Sequence, residues 1–252
     1  MEVHHHPNVE KKSFKEYFLE FLMIFLAVTL GFFAETIREN ITEHSRAKEF
    51  ARSMVKDLEA DTAQLRNYRS YFNFSANNVD TFMQLLSADE PKNIPSGKLY
   101  WYGLFGCAHR HFVSNDATFE QMKSSGSLRY FEKNIGTDAA KYDRFCRLVE
   151  DTEKDNSGIY TEARKGRALL FIFKYLEMAN IIYQKGNKWQ SIDSFARSNP
   201  PLLTTDKILF NQYVELARSR FMHANVAYAD SSIKHANILL KELKEEYRLE
   251  NE

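Results

Sequence analysis

The sequence predicts an all-α protein in which one N-terminal helix crosses a membrane. The 252-residue chain contains only 9 Gly and 5 Pro, and this scarcity of turn-forming residues favours long helices over a β-sandwich or barrel. One stretch, Tyr17 to Ala34, is apolar enough to enter a bilayer. Apolar residues after that stretch recur at spacings of three, four and seven, which is typical of helices that bury one stripe.

We interpret residues 17–35 as a single transmembrane helix that follows a short cytoplasmic tail of residues 1–16. The uninterrupted apolar run, Phe21 to Ala34, covers only about 21 Å as a helix, whereas a bilayer core is about 30 Å thick. Including Tyr17 to Leu19 brings the helix close to the required length. This extension places Glu20 at the edge of the membrane.

Two other interpretations of this stretch are disfavoured. A signal peptide that is cleaved after Ala34 needs a small residue two positions earlier, but Phe32 stands there. A buried core helix is disfavoured because no other segment is as hydrophobic. The stretch is therefore predicted to act as a signal-anchor that stays in the membrane.

The charges that flank the span predict its orientation. Lysines precede it and glutamates follow it, namely Lys11, Lys12 and Lys15 before, and Glu35, Glu39 and Glu43 after. Positive flanks stay in the cytoplasm. We therefore expect a single-pass protein of the inner (cytoplasmic) membrane with its C-terminal domain in the periplasm.

One face of the predicted span carries Glu20, Ala27, Gly31 and Ala34. Ala27 and Gly31 form a small-xxx-small pair, which lets two helix backbones approach closely. Glu20 has two interpretations: a proton relay or ion-coupled group, or a carboxylate that reaches the lipid headgroups or pairs with a nearby lysine. The face predicts packing on a helix of a second copy or of another membrane protein.

The remaining chain is predicted as a stalk helix over residues 36–90 and an extracytoplasmic helical bundle over residues 91–252, packed with the end of the stalk. An apolar seam follows the stalk at Ala51, Val55, Leu58, Leu65, Phe72, Val79, Phe82 and Leu86. This seam fits either a coiled coil with another copy or a helix folded against its own domain.

Four helical stretches are predicted after the stalk. They are a short aromatic helix over 98–112, a second short helix over 114–126, a long helix from Thr137 towards Tyr183 with a polar patch at 150–158 that can break it, and a last stretch that Thr204 or Thr205 caps. Residues 184–203 between the last two are predicted as a loop region with room for one short helix.

The sequence carries few groups suited to a metal or a disulfide. Cys107, His109 and His111 alternate and are good zinc ligands. On the predicted helix, however, only Cys107 and His111 share a face and no second ligand pair follows, so no metal site is predicted. Cys107 and Cys146 could form one bridge in an oxidising compartment or remain two unpaired thiols.

The composition and the missing motifs argue against several classes of function. The 34 basic and 34 acidic residues balance, which argues against a nucleic-acid partner. Phosphate-binding loops and the common catalytic motifs are missing, so we predict neither an enzyme nor a cofactor. The leading hypothesis is a membrane-anchored interaction or scaffold protein whose partners are membrane lipid and either its own copies or another membrane protein.

Two alternatives remain open. A cluster of aromatic side chains suggests an extracytoplasmic sensor that binds a small ligand: Tyr100, Trp101, Tyr102 and Phe105. Glu20 suggests an ion-coupled accessory subunit of a membrane complex.

Three segments resemble a group of uncharacterised single-span proteins from bacteria of the Bacteroidota kind. The segments are YFLEFLMIFLAVTLGFFAETIRE at residues 17–39, RAKEFARSMVKDLEADTAQL at 46–65 and ATFEQMKSSGSLRYFEKN at 117–134. The last is similar to a Thr-aromatic-Glu-x-(Leu/Met)-Lys-Ser-Ser-Gly segment within a domain of unknown function. The resemblance implies an N-terminal anchor and a mostly helical soluble region, and it implies no catalytic residues.

Overall fold

The structure, a computed structural model, describes residues 13–186, 189–221 and 225–249, apart from the side chain of Trp189. Within these residues the chain forms α-helices and two short 3-10 turns and no strand, which confirms the all-α class. The helices are α1 (Phe14–Ala88), α2 (Ser96–Phe105), α3 (Ala117–Ser125), α4 (Lys133–Leu170), α5 (Phe173–Gln184), α6 (Trp189–Arg197), α7 (Lys207–Ser219) and α8 (Asn225–Tyr247). Most of the predicted cytoplasmic tail, including Lys11 and Lys12, lies outside the described residues.

The chain divides into two compact units, residues 1–50 and residues 51–252. In the first unit α1 displays large apolar side chains, and Phe21, Ile24 and Phe32 are 64%, 66% and 71% exposed. An 18-residue window of this helix has a mean hydropathy of 2.1, and none of it is buried. By length and composition, α1 could therefore cross a membrane.

In the second unit the predicted seam of α1 forms part of the core. All eight seam residues between Ala51 and Leu86 are buried. They pack on later helices of the same chain: the ring of Phe72 lies 4.9 Å from that of Phe221, and Phe82 lies 6.3 Å from Phe210. Of the two interpretations of the seam, the helix folded against its own domain is therefore the one observed.

The later helices pack mainly on one another. The long helix α4 packs along α8 and α7, while α2 packs on α6 and α5.

Cys107 and Cys146 are both buried and unpaired, so the interpretation as free thiols holds for these two residues.

The aromatic helix predicted over 98–112 is wrong at its C-terminal end. Helix α2 is shorter, and residues 108–116 contain no helix. Arg220 donates to the carbonyl oxygens of Ala108 at 2.6 Å and Gly106 at 3.5 Å. Because these oxygens would accept intrahelical bonds in a longer helix, the arginine favours the non-helical backbone that follows α2.

The long helix predicted from Thr137 differs from α4 at both ends. Helix α4 begins earlier, at Lys133, and the polar patch at 150–158 does not break it. It ends at Leu170, because the next backbone groups bond elsewhere: the Ile172 amide donates to the Tyr100 hydroxyl at 3.0 Å. The part predicted to reach Tyr183 is the separate helix α5.

The last helical stretch is also divided, into α7 and α8, with residues 222–224 between them outside the description. Its predicted cap is wrong by one or two residues. Asp206 caps α7 and accepts a hydrogen bond from the Ile208 amide at 2.8 Å, in place of Thr204 or Thr205. An ionised carboxylate also complements the positive end of the helix dipole.

Candidate functional site

The face predicted for packing within the membrane is open in the first unit. Ala27, Gly31 and Ala34 are exposed, and Glu20 is half-buried. A Cβ atom added to Gly31 would meet no described atom within 4 Å. The face therefore leaves room for a second helix, and the ion-coupling role of Glu20 stays a prediction.

The aromatic cluster predicted for a ligand-binding sensor is mostly core. Tyr100 is fully buried and Trp101 is 5% exposed. The Tyr100 hydroxyl donates to the carbonyl oxygen of Pro201 at 2.7 Å, so its polar atom is used inside the fold. Of the four side chains of the predicted cluster, only Phe105 lines the open cleft described next.

That cleft has a volume of about 280 Å³. Its walls come from α1, α2, α4, α5 and the segment after α2: Tyr71, Leu104, Phe105, Cys107, Ala108, His109, Tyr160, Arg167, Phe173, Leu176, Glu177, Asn180 and Tyr183. Aromatic walls with a few polar groups are typical of small-molecule sites. The volume is close to the lower end of such sites, which begin at about 300 Å³.

A partly buried polar cluster adjoins the cleft at His109. We use this name for Tyr68, His109, His111, Glu153, Arg220 and Asn225. Its centre is the Glu153 carboxylate on α4, which is 7% exposed. The Oε1 atom of Glu153 accepts hydrogen bonds from the Tyr68 hydroxyl at 2.6 Å and from Asn225 Nδ2 at 3.1 Å. Its Oε2 atom is buried and has no hydrogen-bond partner among the described residues.

Arg220 fixes the segment that carries the histidines. Its guanidinium bonds the carbonyl oxygen of Ala108 at 2.6 Å and lies 3.5 Å from His109 Nδ1. It also lies over the Tyr160 ring, 5.1 Å from the centroid, where a cation–π contact is favourable. The arginine thus holds the backbone on the N-terminal side of His109.

His109 and His111 meet edge to face in this cluster. Their ring centroids are 4.0 Å apart at an interplanar angle of 86°, and their Nε2 atoms are 2.8 Å apart. On its other side, His109 Nδ1 is 3.5 Å from Glu153 Oε2. These three residues offer nitrogen and oxygen atoms that all lie within 4.8 Å of one another.

The surroundings shift the acid–base behaviour of two members of the cluster. Burial lowers the pKa of His109, as do His111 and Arg220, while Glu153 raises it in part. Burial raises the pKa of the Tyr68 phenol, and the nearby Glu153 carboxylate raises it further. Around neutral pH, His109 is therefore predominantly the neutral imidazole, which is the form that binds metal ions. Tyr68 keeps its phenolic proton and donates it in the hydrogen bond to Glu153.

Sequence reasoning found only part of this cluster. It noted the alternation of Cys107, His109 and His111 but placed it on a helix, where His109 and His111 diverge. It did not single out Glu153, which stands in the polar patch that seemed to break α4. That polar patch was the signal that could have pointed to the cluster, because buried polar residues inside a long helix need polar partners elsewhere in the fold.

Comparison with known proteins gives no match. No family model, no curated protein and no solved structure matches this chain. The resemblance of residues 17–39, 46–65 and 117–134 to single-span bacterial proteins stays a prediction.

Proposed function

We propose that this chain is a membrane-anchored, non-enzymatic interaction or scaffold protein. One observation carries the proposal: the apolar window of α1 has a mean hydropathy of 2.1 and no buried residue. Removing apolar surface from water is favourable by about 25 cal/mol per Å², and large exposed apolar patches are rare in soluble monomers. A lipid bilayer supplies the apolar environment that this helix lacks.

Extraction of membranes with alkaline carbonate tests the anchor. The full chain should remain in the membrane pellet. The variant Ile24→Asp combined with Val28→Asp should move to the supernatant, because an aspartate near the centre of a span costs about 2.5–3.5 kcal/mol. Ile208→Asp is the matched control, since Ile208 is 67% exposed and Ile24 is 66% exposed, and it should stay in the pellet. A wild-type chain in the supernatant would rule out the anchor.

The proposed location is the inner membrane, with the helical domain in the periplasm. The charge flanks of the span support this orientation, with Lys15 before it and Glu35 after it. Alkaline phosphatase fused to the C-terminus folds only after export, so the fusion should be active. An inactive fusion, together with a fluorescent cytoplasmic reporter at the same position, would reverse the orientation.

The proposed partner of the span is a second copy of this chain. Identical faces related by a twofold axis complement each other, and Ala27 and Gly31 allow close backbone approach. In native membranes, Gly31→Cys should form a disulfide-linked dimer under mild oxidation. Phe33→Cys, on the opposite side of the helix, should not. A Gly31→Cys chain that stays monomeric, or that crosslinks no better than Phe33→Cys, would contradict self-association through this face.

A sensor is the second candidate, because the cleft of about 280 Å³ opens beside His109. Native mass spectrometry of the purified chain should then show a retained small molecule. Asn180→Trp should fill the cleft and remove that added mass, whereas Ile238→Trp, at a position 36% exposed outside the cleft, should keep it. A wild-type chain without added mass would remove this candidate.

A further inference from the structure

We infer that His109 and His111 form a binding site for a divalent transition-metal ion such as Zn²⁺, with Glu153 as the carboxylate partner of His109. The site lies within the second unit of the chain. It depends neither on the membrane anchor nor on a ligand in the cleft.

The backbone places the two imidazoles together. Residues 108–116 contain no helix, so the side chains of His109 and His111 are not turned about 200° apart as they would be two positions apart on a helix. The two Nε2 atoms are 2.8 Å apart. Two nitrogen ligands of a tetrahedral zinc ion, each about 2.0–2.1 Å from the metal, are about 3.3 Å apart. His111 is exposed, so its ring can move by the half ångström or so that admits the ion.

The buried Glu153 carboxylate is a second observation that supports the metal site, independent of the distance between the two histidines. Its side chain is more than nine-tenths buried, and Oε1 is already occupied by Tyr68 and Asn225. The unpartnered Oε2 atom points at His109 Nδ1 from 3.5 Å. A histidine that binds a metal through one ring nitrogen usually donates the other N–H to a carboxylate. Metal binding at Nε2 fixes the hydrogen on Nδ1, where Oε2 can accept it.

The Arg220 guanidinium opposes a cation, but it contacts the other ring nitrogen of His109. When a metal at Nε2 fixes the hydrogen on Nδ1, that 3.5 Å contact is lost, because a guanidinium can only donate. Its bond to the Ala108 carbonyl oxygen, at 2.6 Å, fixes it there. The charge should weaken the site relative to a four-ligand structural zinc site. We therefore expect affinity in the micromolar range, with water in the remaining coordination positions.

The type of ligand selects the class of metal. Mg²⁺ and Ca²⁺ prefer oxygen ligands, whereas imidazole suits zinc and its first-row neighbours. Co²⁺ is a useful probe because it takes similar geometries and absorbs visible light when imidazoles bind it. Cys107 is close in sequence, but its Sγ atom is 3.8 Å from the Tyr213 hydroxyl and the thiol is buried in the core.

The experiment uses the full chain in detergent micelles, with His4 to His6 replaced by Gln. This background is needed because the N-terminal histidine run would itself bind metal ions. Co²⁺ is titrated at neutral pH and followed by visible absorption, and Zn²⁺ is then added to displace it. We expect one Co²⁺ per chain and full displacement by Zn²⁺.

Variants in the same background identify the ligands. His111→Gln should abolish the absorption band. Glu153→Gln keeps an acceptor for Tyr68 and should weaken binding about 10- to 100-fold. His44→Gln, which removes an exposed histidine of the first unit, is the matched control and should leave binding unchanged. Circular dichroism checks that each variant is folded.

Two results would overturn the inference. One is the absence of a Co²⁺ band in the background chain. The other is a band that persists at the same affinity in folded His111→Gln. Unchanged affinity in Glu153→Gln would overturn the part assigned to that carboxylate.

Discussion

Tyr68 and Glu153 are 85 residues apart in the sequence and share a 2.6 Å hydrogen bond in the interior of the second unit. Asn225, the first residue of α8, donates to both, at 3.0 Å to the phenol oxygen and 3.1 Å to the carboxylate. Helices α1, α4 and α8 therefore meet at one buried carboxylate. Such a group is tolerated only when donors surround it.

We expect Tyr68→Phe to lower the free energy of unfolding by about 1–3 kcal/mol, because it removes a donor from a buried acceptor. Urea unfolding followed by circular dichroism measures the change. Tyr102→Phe is the matched control, since no hydrogen bond of the Tyr102 hydroxyl is seen within the described residues, and its effect should stay below about 0.5 kcal/mol. Equal effects of the two substitutions would contradict a stabilising role for the bond.

Asp61 is a second buried carboxylate on α1, and it anchors the segment after α2. It is fully buried and accepts from the Asn115 amide at 3.0 Å, from Asn115 Nδ2 at 2.5 Å and from the Tyr142 hydroxyl at 2.5 Å. Asp61→Asn places an NH₂ group against these donors. We expect unfolding free energy to fall by about 2 kcal/mol or more.

Asp57→Asn is the control for that substitution. Asp57 is half-buried and accepts one hydrogen bond, from the Thr118 hydroxyl at 2.5 Å. An asparagine oxygen can still accept that bond. We therefore expect Asp57→Asn to lower the unfolding free energy by at least about 1 kcal/mol less than Asp61→Asn does. If Asp57→Asn were as damaging as Asp61→Asn in urea unfolding, the three-donor arrangement would not explain the effect.

Sequence periodicity predicted the packing of α1 well for a physical reason. The side chains of the stripe from Ala51 to Leu86 are apolar because they are buried, and buried positions on a helix recur every three or four residues. The sequence could not decide what covers the stripe, because a second copy and the chain's own helices present the same apolar surface. The contact of Phe72 with Phe221, near the other end of the sequence, decides it.

The polar cluster was not predictable in the same way. Its geometry depends on where α2 ends, and that end depends on Arg220, which follows it by more than a hundred residues. A local reading of KLYWYGLFGCAHRHF sees good helix formers and extends the helix through His109 and His111. Tertiary hydrogen bonds override that local preference, and the non-helical backbone at residues 108–116 brings the two rings together.

Two glycines should respond to alanine in opposite directions. A Cβ atom on Gly97, in α2, would clash with the backbone carbonyl oxygens of Phe195 and Ser198, whereas one on Gly158, in α4, meets nothing within 4 Å. Gly97→Ala should lower the unfolding free energy by about 1–3 kcal/mol through overpacking. Gly158→Ala should raise it by about 0.5–1 kcal/mol, because glycine costs entropy inside a helix. Urea unfolding that showed the same sign for both would contradict the close approach at Gly97.

The buried thiol of Cys146 should make the fold sensitive to alkaline pH. Cys146 is 1% exposed, and burial raises the pKa of its thiol from 9.0 to about 12. Between these values the unfolded chain releases the proton and the folded chain keeps it. The folded state then binds more protons, so the unfolding free energy falls as pH rises. The contribution of this thiol is fully present below pH 9 and is lost progressively towards pH 12.

Cys146→Ser removes the titrating thiol and tests this linkage. Serine keeps a polar group of similar size and does not ionise in this range. Between pH 8 and pH 10.5 the wild-type chain should lose about 2 kcal/mol more unfolding free energy than the variant, from about 1.4 kcal/mol per pH unit above the unfolded pKa. Burial also raises the pKa values of tyrosines that Cys146 does not influence, such as Tyr68 and Tyr213, and their contributions cancel in the difference between the two proteins. Parallel pH profiles of wild type and variant in urea unfolding would show that Cys146 does not carry this proton.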